Sequence, residues 1–243
     1  MDDHATPARL YLFEAMRQNV PGPDGPRDFV AGSYLVTMSD GSQVLVDSGP
    51  PADMGQGSPS DAGVVTATEQ LARLGIAPED VAMVVTTHFD VDHAGHNDAF
   101  PDAVHVVQKE HLDVAKAGYQ RFAPHRVHWD VGDEKFRTVE GDAELFEGFD
   151  LISTPGHVPA HQSILLRLPN TGPVLITADA VPLSSLFTPD RPKGPMDSGE
   201  VDELRASTQK LLRIRDETGV KLVIHHHDGA QWKTLKRAPD YYD

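Results

Sequence analysis

Residues 9–18 mix apolar and polar positions in a way that suits a first strand. Asn19 to Arg27 holds three prolines and two glycines and reads as a loop. Phe29–Met38 and Gln43–Val46 read as two strands joined at Ser39-Asp40-Gly41-Ser42, where Asp-Gly is a hairpin signal. Pro51 to Ser60, rich in Gly, Pro and Ser, is expected to be a loop and a lid over any site beside it. A helix is expected over roughly 62–74, stopped by Gly75.

Val81–Thr86 is a short apolar run of the kind that buried strands show. A strand over Val104–Val107 and a helix over 109–117 follow. Arg121 to Trp129 has no clear period. Leu151–Thr154, Ser163–Leu168 and Val174–Thr177 read as strands, and Pro182 to Gly199, with four prolines, as a second loop. A helix over 200–217 ends before Gly219, and Leu222–Ile224 is a last strand. Strands and helices thus alternate after an initial run of strands. A split β-sandwich with outer helices fits this order, and pattern alone would also accept another α/β fold.

The chain has 243 residues, which suits one domain spanning 1–243. Its net charge of -16 repels nucleic acid and anionic lipid, which disfavours a nuclease and favours a neutral small-molecule substrate. With no cysteine there is neither a disulfide nor a thiolate metal site. No run approaches the roughly 18 apolar residues of a membrane helix, so no membrane partner is expected. Met1 to Ala8 is acidic and polar, unlike a secretory signal. The expected compartment is the cytoplasm.

Chemistry concentrates in Thr87-His88-Phe89-Asp90-Val91-Asp92-His93-Ala94-Gly95, four potential metal ligands within six residues after a buried strand. Residues 88 and 90 can project together from an extended loop, with Asp92 and His93 pointing elsewhere, so one loop could serve two ions. His157, Asp179 and His227 each follow a predicted strand and could converge on one sheet edge. Singly, each would be an ordinary polar cap; together and in this order they indicate a dinuclear metal site. His225 and His226 lie close in sequence, with His226 the less suited by alternation. His4, His96, His105, His111, His125, His128 and His161 are expected at the surface or behind the ligands.

These residues resemble the metallo-β-lactamase superfamily and, within it, the N-acyl homoserine lactonases. The resemblance rests on Leu45-Val46-Asp47-Ser48-Gly49, the His88–Gly95 loop, Thr154-Pro155-Gly156-His157 with His161-Gln162-Ser163, and Ala178-Asp179-Ala180. The tail from His227-Asp228 through Gln231-Trp232-Lys233-Thr234-Leu235-Lys236 to Ala238-Pro239-Asp240-Tyr241-Tyr242-Asp243 is the part most specific to the lactonases. The resemblance implies an αββα four-layer sandwich and two divalent ions, zinc first among them. The first ion would take His88, Asp90 and His157, and the second Asp92, His93 and His227. Asp179 and a hydroxide would bridge the two. It is also consistent with a homodimer.

Two positions depart from the family pattern. Asp90 stands where the family has a second His, and Pro182 stands where the lactonases have a Tyr that binds the substrate carbonyl. Asp90 makes the site one charge less positive than a His would, and its harder oxygen favours iron or manganese at that ion. Alternatively, its side chain is too short to reach. Replacing it by His is expected to raise zinc retention. The implied reaction is hydrolysis of a lactone or related ester, with Asp92 passing a proton to the leaving alkoxide. Alternatives are a di-iron redox protein, a protein that has lost catalysis, or a hydrolase of thioesters, organophosphates or β-lactams. Phe89, Phe122, Trp129, Leu186 and Phe187 are candidates for the apolar pocket wall, shaped by loops 50–60, 119–130 and 182–199.

Overall fold

Strand alternation sorts the side chains of the first strand between two cores. In β1 (Pro7–Val20), Leu10 and Leu12 join the interior between the sheets, while Tyr11 and Phe13 pack outward with Ala67 and Leu71 of α1 (Ala67–Arg73). The computed structural model describes all residues except 1, 3, 23–24, 55–62 and 195. Residues 55–60 of the expected lid, and residue 62, lie outside that set.

β1 pairs antiparallel with β2 (Arg27–Met38), which pairs antiparallel with β3 (Gln43–Val46) across the Asp40-Gly41 turn. β4 (Val81–Val85), β5 (Val104–Gln108) and β6 (Phe136–Val139) add in parallel, so six strands stand in chain order. The second sheet contains β7 (Ala143–Phe146), β8 (Phe149–Ser153), β9 (Gln162–Leu168), β10 (Gly172–Ala178) and β11 (Leu222–His225). Its order is β11-β10-β9-β8-β7, with β11 parallel to β10 and the other pairs antiparallel.

Leu10, Val36, Val44 and Val85 of one sheet meet Leu151, Ile164, Leu166 and Ile176 of the other. All eight are fully buried, and burial of such a side chain contributes roughly 1.5–3 kcal/mol. The outer face of the second sheet, with Ile152, Leu165 and Leu175, packs on Leu211 of α2 (Val201–Thr218). Helix, sheet, sheet and helix thus stack as four layers, as the motif resemblance implied. No helix among the described residues is long and apolar enough to cross a membrane.

Several boundaries differ from the sequence reading. α1 begins at Ala67 because Thr66 caps it. The Glu69 N–H donates to Thr66 Oγ1 at 3.3 Å, and the Thr66 N–H donates to Glu69 Oε2 at 2.8 Å. The stretch expected to be irregular holds a tight turn at Ala123–His125 and a short helix over Arg126–Trp129. Strands β6 and β7 were not anticipated, since each has only four residues, interrupted by Arg137 and Thr138 in β6 and by Glu144 in β7. The strand ends matter most for function. β4, β8, β10 and β11 all stop just before an expected metal ligand, on one edge of the sandwich.

Candidate metal centre

Each ligand loop is shaped by a local constraint. After β4, a four-residue helix, Val91–Ala94, closes on Asp90, whose carbonyl accepts the His93 N–H at 3.0 Å. That turn brings Asp92 and His93 to the centre beside His88 and Asp90. Gly156 takes φ 130°, and a side chain there would meet the backbone of Leu204 at 2.8 Å, so glycine is required before His157. Ala178 takes φ 44°, a strained value for a residue with a side chain, immediately before Asp179. His161 holds the next peptide, accepting the Asp179 N–H at Nε2 (3.3 Å).

Asp179 faces both halves of the site. Its Oδ1 lies 3.4 Å from His93 Nε2, and His227 Nε2 lies 3.1 Å from Oδ1 and 3.2 Å from Oδ2. Its Oδ2 lies 3.3 Å from His157 Nε2 and 3.9 Å from His88 Nε2. Burial opposes its charge, but the surrounding His227, His93 and His157 outweigh it and hold the carboxyl well below the ordinary range. Asp92 Oδ2 stands 3.5 Å from His227 Nε2 and 4.0 Å from His93 Nε2.

The four histidines are oriented alike. His93 Nδ1 donates to Asp47 Oδ2 at 2.8 Å, and His227 Nδ1 donates to the Val30 carbonyl at 2.7 Å. His157 Nδ1 lies 3.1 Å from Asp197, and His88 Nδ1 lies 3.0 Å from Thr87 Oγ1, which itself donates to Asp47. Every Nε2 is thereby turned inward, the arrangement of metal-bound imidazole. His88 Nε2, His93 Nε2 and Asp179 Oδ1 are buried without a hydrogen-bond partner. Unpartnered buried polar atoms are costly, and divalent cations bound among these residues would satisfy all three. The donors are imidazole nitrogen and carboxylate oxygen, which suit zinc, manganese or iron.

All seven residues expected to be ligands lie together here. Among the described residues they fall into two sets, His88, Asp90, His157 and Asp179, and Asp92, His93 and His227 with His226 nearby. His226 is otherwise engaged: its Nε2 accepts the Gly32 N–H at 3.4 Å and its Nδ1 bonds the Tyr34 hydroxyl at 3.0 Å. Burial pushes its pKa down, so it packs as a neutral ring 4.1 Å from His93. His225 turns away to the Val181 carbonyl at 2.8 Å. His105, His111 and His161, expected at the surface or behind the ligands, are buried.

Asp90 has a partner that sequence reasoning missed. Arg121 Nε donates to Asp90 Oδ1 at 2.6 Å and Arg121 Nη2 donates to Oδ2, a two-pronged pair. Burial works against the Asp90 charge, but Arg121, then His88 and His157, hold its carboxyl well below the ordinary range. The charge lost by replacing His with Asp is therefore restored by Arg121, and a sum that stops at the carboxylates misses it. Arg121 sits on an irregular segment and reaches across by length, which no periodicity reports.

Beside the ligands lies a cleft of about 410 Å3. Val20, Phe29, Pro182, Leu183, Leu186 and Met196 give it an apolar wall. Phe29 stacks on the His227 ring at 4.3 Å. Of the expected wall residues only Leu186 lines it. Phe89, Phe122 and Trp129 are fully buried in a separate cluster, and Phe187 packs on the outer side of the second sheet. Phe29 was missed because it looks like any strand residue.

Comparison with known proteins agrees with this geometry. Residues 27–227 match the metallo-beta-lactamase superfamily model. The chain is 37% identical over 182 residues to the N-acyl homoserine lactonase AttM of Azorhizobium caulinodans, covering 72% of this chain and 68% of that protein. It is 36% identical over 186 residues to AttM of Agrobacterium fabrum, with the same coverage of 72% and 68%. A Bacillus thuringiensis AiiA variant crystallised with N-decanoyl-L-homoserine at its active site shares the fold. Its TM-score is 0.81 at 24% identity, covering 98% of this chain and 100% of that one. With the ligand order, the four layers and these likenesses in agreement, the chain belongs to the metallo-β-lactamase superfamily and, within it, to the N-acyl homoserine lactonase-like group.

Proposed function

We propose that this protein is a zinc-dependent hydrolase that opens the ring of an N-acyl homoserine lactone or a closely related ester. The observation that carries the reading is the Asp179 carboxylate, with one oxygen facing His93, the other facing His157 and His88, and His227 within reach of both. The relatives' names give the substrate class, and the apolar cleft beside the ligands suits an acyl chain.

Divalent ions held by these residues supply Lewis acidity, which brings the pKa of water toward neutrality and polarises a carbonyl. The remaining work falls to the chain. Asp92 faces the cleft and takes the proton released as water adds to the carbonyl carbon. It passes that proton to the ring oxygen as the carbon–oxygen bond breaks. Phe29 and Leu186 hold the acyl chain and keep bulk water from the reacting carbonyl.

The test is a panel of N-acyl homoserine lactones, other lactones, esters and thioesters, assayed with zinc, manganese, cobalt and iron forms. Ring-opened acid from the lactones, detected by mass, is expected. No lactone turnover with any metal, alongside bound iron with a visible absorption band, would replace this reading with the di-iron one.

A further inference from the structure

The two ligand sets are not equivalent. In the second, His93 Nε2 is buried without a partner, as is the Asp179 oxygen that faces it. In the first, Arg121 already holds two of the four donors. Besides its two-pronged pair with Asp90, its Nη2 lies 3.0 Å from His157 Nε2. Its Nη1 donates to the Met196 carbonyl at 2.7 Å, so all three guanidinium nitrogens are fixed.

The lone pair on His157 Nε2 can accept an N–H or bind a cation, but not both. A guanidinium does not lose its charge in proteins, so it cannot step aside by deprotonating. A positive group that close also repels a dication. We infer that Arg121 and a cation compete for Asp90 and His157. The resting protein then holds one tightly bound divalent ion, on Asp92, His93, His227 and Asp179. The Arg121 guanidinium stands in the first position as a fixed positive charge facing the cleft. His88, whose Nε2 remains without a partner, admits a second ion only at excess metal.

This inference rests on the metal-dependent reading above, and metal counting tests it apart from turnover. Protein stripped with chelator, refilled with zinc and dialysed is expected to retain one equivalent by elemental analysis. Arg121→Gln is expected to approach two, with the weaker site tightening roughly 10- to 100-fold, the scale on which outer partners act. Independently of how that variant folds, His88→Ala should keep the wild-type equivalent and His93→Ala should lose it. Two equally tight equivalents in the wild type would overturn the inference. So would loss of the ion in His88→Ala but not in His93→Ala. Failure of the functional reading shows separately, as a normal metal count with no lactone opened.

Discussion

Asp47 fixes the ring of His93 from behind. It accepts His93 Nδ1–H at 2.8 Å, the Thr87 N–H at 2.7 Å and the Thr87 hydroxyl at 2.9 Å, all with no solvent exposure. Its φ of 56° is one that Asn also tolerates, so Asp47→Asn removes charge with little backbone penalty. Zinc affinity should fall roughly 10- to 100-fold by competition titration. Asp47→Ala, which leaves buried donors unpaired, should also cost roughly 3–5 kcal/mol in urea unfolding.

Asp92→Asn separates proton transfer from metal binding. If the carboxylate shuttles the proton, kcat falls roughly 10²- to 10⁴-fold. An equal loss of zinc from the variant would show that its ligand role dominates.

Asp90→His alone should not raise zinc retention, contrary to what the ligand pattern suggests without Arg121. The substitution strips the guanidinium of its carboxylate and leaves its charge beside the cation. Only the pair Asp90→His with Arg121→Gln should gain metal. Elemental analysis of both variants decides the matter.

His111 makes stability depend on pH. Burial pushes its pKa down to about 4, while its Nε2 accepts the Phe89 N–H at 2.9 Å and its Nδ1 bonds the Pro159 carbonyl at 2.6 Å. In the unfolded chain the group titrates near the ordinary histidine value of 6.5. Between the two values the unfolded state binds the extra proton, so stability falls as pH drops from about 6.5 to about 4 and levels below that. This one group accounts for roughly 3 kcal/mol across the window. Urea midpoints against pH should show the slope, and His111→Gln should make it shallower.

Phe29→Ala should raise KM for long acyl chains more than for short ones, by about tenfold at the long end, with kcat little changed. Equal effects at every chain length would place Phe29 behind His227 as a ring support and not in the acyl channel.

The meeting of the seven residues was legible in the sequence because the loops that carry them follow short apolar runs that read as strands. Strand ends in such folds share an edge, so His157, Asp179 and His227 could be joined to the 88–93 loop before any coordinates. Three things were not legible. Asp47 holds His93 from 46 positions away, and a single Asp after a strand carries no sign of its partner. Arg121 acts through the reach of a long side chain from a segment without period. Phe89 and Trp129 looked like pocket aromatics, yet they stack at 4.6 Å inside a closed cluster, because a ring beside a metal loop is as well placed to plug the core as to meet substrate.

His88, Asp90, Asp92 and His93 come from a loop of one sheet, and His157, Asp179 and His227 from loops of the other. A cation bound among them rivets two separately hydrogen-bonded halves at a single rim. At free zinc a thousandfold above its dissociation constant, that rivet adds about 4 kcal/mol to the folded state. Starvation for the ion would then thin the population of intact molecules through degradation, so abundance as well as turnover would track metal supply.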